Sequence, residues 1–252
     1  MTPGPAGRLQ LSVVIPAYNE AARIAPTLGS IRQYLKQRRL SAEIVVVDDG
    51  STDDTAEIAR NELHGDGRVL RLPENRGKGR AVREGVLQSN GRWVLISDAD
   101  LSTPIEEHET LAAEARNYDV DMVIGSRAIE GSDVQKHQAW PREAMGKTFN
   151  GIVRGTMGLP YRDTQCGFKL FDRDRLLPVF RMLAINGFAW DVELLFVSRR
   201  LGLQVREVGV TWRNDPSSRV GVVRDPILML IDLMRIRWRF RRGAYHPQRQ
   251  PS

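Results

Sequence analysis

Two carboxylates, Asp98 and Asp100, stand two residues apart just after the apolar run 93–96 (WVLI). On an extended segment that spacing turns both to one side. Paired hard oxygen ligands suit Mg²⁺ or Mn²⁺, with substrate phosphates and water completing the shell. Two more polar clusters follow apolar runs in the same way. Ala17-Tyr18-Asn19-Glu20 comes after 11–16 (LSVVIP), and Asp48-Asp49-Gly50-Ser51 after 43–47 (EIVVV). A carboxylate of the second cluster could accept hydrogen bonds from a ribose or a base N–H, although Asp-Gly is also a common turn pair. The segment 74–79 (ENRGKG) fits neither the P-loop spacing nor the dinucleotide fingerprint. Its glycines still let backbone amides and Lys78 approach a diphosphate at a helix start.

Something must carry these clusters to one place. The Val- and Ile-rich runs at 11–16, 43–47, 69–72, 93–96 and 122–124 read as strands buried on both faces. Between them lie helical patterns at 22–38, 53–63, 79–89 and 104–117. Strands alternating with helices predict an α/β fold with a mostly parallel sheet. Ligands of such sheets bind outside the carboxyl ends of the strands, which is where the three clusters fall. From 128 the pattern changes to a polar loop over 128–143, then helix, loop and helix, read as a second half built onto the same sheet. The expected division is a disordered segment 1–10, one domain 11–225 with halves 11–127 and 128–225, and an apolar, basic segment 226–252.

Composition narrows the function classes. The 252 residues carry 41% apolar and 27% charged side chains, which is globular rather than disordered. One cysteine, Cys166, excludes a disulfide framework, and four scattered histidines lack ligand spacing. Net charge is +6, yet the last 18 residues hold six arginines and no acid, leaving 31 basic against 31 acidic residues elsewhere. A nucleic-acid binder is not expected from a neutral body with a basic tail. No apolar run reaches the roughly 18 residues of a membrane span, and 1–10 lacks the apolar core of a signal peptide. A cytoplasmic location follows as the expectation. In the tail, 227–242 (ILMLIDLMRIRWRFRR), a helix would align Met229, Leu233, Ile236 and Phe240, while the alternation over 235–241 also allows a strand. Apolar residues with Trp238 beside arginines fit either an interfacial segment on anionic lipid or a helix packed on the domain.

The motifs VVIPAYNE (13–20), VVVDDGSTD (45–53), NRGKG (75–79), SDADLS (97–102) and GSR (125–127) occur in the order found in glycosyltransferase family 2, which the chain resembles over 11–240. The strings RDTQCGFKLF (162–171) and FAWDVELLF (188–196) resemble the branch that glycosylates dolichyl and polyprenyl phosphates, nearer its glucosyl than its mannosyl members. The resemblance implies a GT-A fold and inverting transfer from a nucleotide-diphosphate sugar, UDP-glucose favoured, to a polyprenyl phosphate at the cytoplasmic face of a membrane. A GDP-mannose donor, or a hydroxyl acceptor, remains the alternative. It further implies that Pro16, Tyr18, Glu20 and Asp49 or Asp48 line the nucleotide pocket. Asp98 would contact ribose or sugar, and Asp100 would bind Mg²⁺ or Mn²⁺. Arg127, Arg142 and Arg219 match basic positions that hold the lipid phosphate, and Asp191 and Glu193 fall in the region facing the sugar. Relatives with Gln two residues after the second metal-site Asp differ from this chain, which has Ser102.

The chemistry sets conditions on these roles. A divalent metal neutralises a diphosphate leaving group. A phosphate acceptor is already an anion and needs placement and charge shielding, which suits arginine. A hydroxyl acceptor needs a carboxylate base, and Asp191 is the first candidate. Lys147 and Lys169 read as solvated or packing residues, Cys166 as a small buried side chain, and Phe188, Trp190 and Phe196 as core.

Overall fold

A computed structural model describes residues 9–136, 140–213 and 224–245, the side chains of 136, 140–145 and 147 excepted. In chain order the elements are β1 (Leu11–Ala17), α1 (Ile24–Gln37), β2 (Ala42–Asp48), α2 (Thr55–Leu63), β3 (Gly67–Arg71), α3 (Lys78–Gln88), β4 (Trp93–Ile96), α4 (His108–Tyr118), β5 (Met122–Ser126), β6 (Asp133–Lys136), α5 (Trp140–Met157), β7 (Lys169–Asp172), α6 (Arg173–Met182), α7 (Trp190–Arg200), β8 (Val205–Gly209), β9 (Thr211–Arg213) and α8 (Arg224–Arg241). The five expected strands and four expected helices of the first half are all present, with no end shifted by more than four residues.

Seven strands form one sheet in the order β3-β2-β1-β4-β7-β5-β8, and β6 pairs with β9 in a second, two-stranded sheet. The pairs β1–β2, β1–β4, β2–β3 and β5–β8 are parallel. Only β7 runs against its neighbours β4 and β5. It was not expected from the sequence, and neither was β6, which lies inside the presumed polar loop 128–143.

Strand alternation explains the two-sided core. Val14, Val94, Ile96 and Phe171 face one side, under α3, α6 and α7. Val13, Ile15, Leu95 and Leu170 face the other, under α1 and α4. With both faces covered, every residue of β1 is buried, which is why the run is apolar throughout. α7 is buried over its first nine residues, Trp190 to Ser198, so its polar side chains must find partners inside. α8 presents Met229, Leu233 and Ile236 to the core, with Phe240 packed beside them. The tail is therefore a helix, seated on the domain along the stripe expected for one. Cys166 is buried and free.

Candidate active site

The parallel register brings the strand ends to one rim: Ala17 stands beside Asp48, and Val14 beside Ile96. Beyond the strands the chain turns sharply. Gly50 has φ +70°, and a Cβ there would lie 2.6 Å from the Glu74 carbonyl carbon, so the turn requires glycine. The first two clusters knit together: the Asn19 amide donates to Ser51 Oγ at 2.8 Å, the Thr52 amide to Asn19 Oδ1 at 2.8 Å, and the Glu20 amide to Thr55 Oγ1 at 2.7 Å.

A cavity of about 680 Å³ opens on this rim, and Pro16, Tyr18, Glu20, Asp49, Lys78, Asp98 and Asp100 all line it. Asp48 does not. Its buried carboxylate accepts from the Ser51 amide at 3.0 Å and lies 3.3 Å from Arg71 Nε, which makes it a brace for the turn. Of the two alternatives at 48 and 49, the cavity is lined by Asp49. That carboxylate also accepts from the amides of Arg76 (3.1 Å) and Gly77 (2.7 Å), tying down the glycine-rich loop. Burial pushes Asp49 above the usual carboxylate range, against these bonds.

The loop's backbone does not serve as expected. Asn186 O accepts from the amides of Gly79 (2.7 Å) and Arg80 (3.2 Å), so the first turn of α3 is spent on the chain before α7. Gly77, at φ +108°, and Gly79 are packing glycines: added Cβ atoms would lie 2.6 Å from Asn186 O and 2.5 Å from Ile185 O. What this loop offers a diphosphate is the Lys78 ammonium, which pairs with Asp98 at 2.5 Å.

Asp98 and Asp100 sit in unequal fields. Burial would raise Asp98, but Lys78, then Lys169 and Arg127, outweigh it and hold the carboxyl below its usual range. Asp100 is pushed up by burial and by the charge of Asp98, although its carboxylate accepts from the Ser102 amide at 2.9 Å. A carboxylate destabilised by a like charge is one that a cation would relieve. Among the described residues no group of three or more His, Cys, Asp or Glu side chains could hold a metal. The donor set is thus two carboxylates, which fits an ion that takes its remaining oxygens from phosphates and water.

Arg127 leaves the end of β5 and meets Asp163 twice, Nε at 2.7 Å and Nη2 at 2.9 Å, while its own amide adds a bond of 3.0 Å. Its guanidinium carbon lies 5.3 Å from the Trp212 ring centre. Burial would raise Asp163, but Arg127 holds it down to about 2. Arg142 lies in the first turn of α5 with its side chain outside the described residues, as is the whole of Arg219.

The acids of α7 do not face the cavity. Asp191 is buried and paired with Lys169 Nζ at 2.5 Å. Lys169, expected to be solvated or packing, has no exposed surface at all. Glu193 is fully buried and accepts from the amides of Ala184 (3.0 Å) and Ile185 (2.8 Å) and from the Tyr245 hydroxyl (2.6 Å). Both are internal fasteners rather than sugar contacts in this state. Trp190 and Phe196 are core, but Phe188 lines the cavity beside Gly187 and Asp225. Those three were missed, as were Asp163 and Trp212. The 188 aromatic and the acid opening α8 were visible as residues, but nothing local places them on the rim.

Comparison with known proteins identifies the family and the fold. The family model described as "Glycosyl transferase family 2" matches residues 12–176. A dolichyl-phosphate beta-glucosyltransferase of Dictyostelium discoideum is 33% identical over 96% of this chain and 78% of its own length. The enzyme of that name from Saccharomyces cerevisiae is 34% identical over 95% and 78%. The fold is shared with glucosyl-3-phosphoglycerate synthase from Mycobacterium tuberculosis, solved with Mn²⁺, UDP and glucosyl-3-phosphoglycerate. That likeness has a TM-score of 0.62 at 24% identity, over 90% of this chain and 80% of that one.

Proposed function

The chain belongs to glycosyl transferase family 2, and from that membership and the rim geometry we propose that it transfers glucose from UDP-glucose to a polyprenyl phosphate, with inversion. The observation that carries the acceptor class is the state of Asp191. A hydroxyl acceptor needs a carboxylate to take its proton. The carboxylate expected for that role is buried beneath the Lys169 ammonium, while a guanidinium fixed by Asp163 stands at the end of β5. An acceptor that arrives as an anion needs the second and not the first. The glucosyl choice is supported by the named activity of the relatives, and UDP by the ligand of a neighbour of the same fold.

Each group of residues has its own part in this reaction. Pro16, Tyr18, Glu20 and Asp49 form the wall for base and ribose. Asp98 and Asp100 would hold Mg²⁺ or Mn²⁺, which when bound would supply Lewis-acid neutralisation of the departing diphosphate. Lys78 exchanges its pairing with Asp98 for the diphosphate oxygens. Arg127 receives the acceptor phosphate, its planar fork already oriented by Asp163 and Trp212.

An acceptor embedded in lipid requires the enzyme at a surface. Among the described residues no helix is long and apolar enough to cross a membrane. α8 instead shows two apolar faces. The one opposite its buried stripe exposes Ile227, Leu230, Met234 and Trp238. Exposed Arg235, Arg237, Arg241 and Arg242 flank it, and Arg242 lies 4.1 Å from the Trp238 ring centre. This is the composition of an interfacial helix on anionic lipid, and we assign the face to peripheral contact with a membrane.

The test is a panel of UDP-glucose, UDP-galactose and GDP-mannose, with polyprenyl phosphate in anionic vesicles as acceptor. UDP-glucose should be the best donor, EDTA should abolish transfer, and Asp100→Ala should lose on the order of a hundredfold or more in kcat. Arg127→Ala should lower kcat/KM for the acceptor by about 10- to 100-fold through loss of a charge-assisted phosphate contact. Full activity in EDTA would overturn the metal assignment, and an unchanged acceptor KM in Arg127→Ala would move the phosphate site elsewhere.

A further inference from the structure

In the fold, the string RDTQCGFKLF is the connection that enters β7, the strand that runs against its neighbours. Because β7 is antiparallel, its first residue lies at the rim where β4 and β5 end: Lys169 stands beside Ile96 on one side and Ile124 on the other. Alternation along β7 sends Leu170 to the α1–α4 face and leaves Lys169, with Phe171, on the face covered by α7. A lysine fully buried there must be neutralised and its donors used.

Both conditions are met, and in an informative way. Nζ pairs with Asp191 Oδ1 and also donates to Cys166 O, three residues back along its own chain. The side chain therefore closes the turn 166–169 on itself and fastens it to α7. The next residue in that turn is Gly167. A Cβ placed there would lie 2.7 Å from Asp98 Oδ1 and closer still to Oδ2. The Asp98 carboxylate thus rests on the bare backbone of Gly167. Four residues earlier the same connection supplies Asp163, which orients Arg127.

We propose that Lys169 is a positioning residue for the transfer reaction, its buried ammonium bracing the Cys166–Gly167 turn on which the Asp98 carboxylate rests. The inference rests on the reading of Asp98 as part of the donor site. It gives the string 162–171 a physical role, since one connection sets the donor carboxylate at one end and the acceptor arginine at the other.

The experiment compares wild type, Lys169→Met, Asp191→Asn, the Lys169→Met/Asp191→Asn double variant and Gly167→Ala. Each is assayed for kcat with UDP-glucose and polyprenyl phosphate, for UDP affinity in EDTA by calorimetry, and for Tm. Lys169→Met should lower both Tm and kcat, because it strands a buried carboxylate as well as releasing the turn. The double variant removes the stranded charge and should regain Tm, while kcat stays about 10- to 100-fold below wild type, the range for groups that orient a site residue. Asp191→Asn keeps an acceptor oxygen for the ammonium and should stay above the double variant in kcat. Gly167→Ala, which displaces Asp98 without touching Lys169, should match the double variant's loss in kcat. Metal-free UDP affinity, set mainly by the base and ribose wall, should change less than kcat in all of them.

A double variant with wild-type kcat would make Lys169 merely structural. Asp191→Asn as defective as the double variant would make Asp191 the acting group and overturn the brace. Wild-type protein that transfers from no donor in the panel would instead refute the transferase reading, and the inference with it.

Discussion

At the scale of single residues, burial decides which charges are available to substrate. Asp98, Asp100 and Lys78 meet in one cavity, whereas Asp48, Asp191, Glu193 and Lys169 are enclosed and engaged with the protein itself. The sequence offered the five carboxylates as candidates for the site and Lys169 only as a solvated or packing residue, because spacing says nothing about what covers a side chain. The same principle marks a residue far from the rim. His108 is buried under α1 with Nδ1 2.8 Å from the Tyr34 hydroxyl, and burial, then Arg116, lowers its pKa from 6.5 to about 4. The folded state therefore favours the neutral ring. Its contribution to stability is complete above pH 6.5 and is lost as the pH falls from there towards about 4. The full shift corresponds to on the order of 3 kcal/mol. Denaturant midpoints measured from pH 7.5 to 4.5 should fall steeply in wild type and less in His108→Leu. Equal slopes in the two proteins would show that acid lability arises elsewhere.

At the scale of elements, what could be read in advance was local and what could not was long-range. The Val- and Ile-rich runs announce β1, β2, β4 and β5 because strands covered on both faces must be apolar at every position. The three polar clusters could then be placed at strand ends by topology alone. Nothing within 169–172 says that β7 inserts between β4 and β5 in the opposite sense, since that is fixed by pairing with residues some 45 to 80 positions earlier in the chain. Yet this reversal is what brings Lys169, Gly167 and Asp163 to the rim. The tail held an ambiguity of a different kind. With apolar residues on both sides of α8, packing does not use up the apolar surface that the proposed lipid contact needs: Met229, Leu233 and Ile236 pack, while Met234 and Trp238 remain 64% and 54% exposed. Cutting the tail before 235 would remove buried Ile236 and the Tyr245–Glu193 bond, so point variants are the cleaner probe. Met234→Ser with Trp238→Ser should leave Tm unchanged and weaken sedimentation with anionic vesicles by tens-of-fold, from roughly 2–3 kcal/mol of lost apolar insertion. Replacing Arg237 and Arg241 with Gln should weaken it by about 1 kcal/mol each, more at low salt than at high. Unchanged vesicle binding in both would assign this face to another partner.

At the scale of the whole molecule, the two working halves meet on one sheet. The first half supplies the wall proposed for the nucleotide, the paired carboxylates and Lys78. The second supplies β7 and its connection, the loop 184–188 whose Gly187 and Phe188 line the cavity, and α8. Asn186 O, which accepts from the start of α3, and Asp163, which holds Arg127, cross between the halves; Asp49 ties the glycine-rich loop within the first, and Glu193 ties the 184–185 amides to Tyr245 within the second. The helix proposed for lipid contact also brings Asp225 to the cavity wall, so the cavity and the exposed apolar face lie on two sides of the same element. The central claim is that the acceptor is an anion which needs a guanidinium and no carboxylate base. It is tested most directly by offering two lipids of the same chain length, a polyprenyl phosphate and the corresponding polyprenol, in identical anionic vesicles with UDP-glucose and Mn²⁺. Glucose should pass to the phosphate with inversion, giving the β-linked glucosyl phosphate, and not to the alcohol. Transfer to the polyprenol at a rate equal to or above that for the phosphate would contradict the claim.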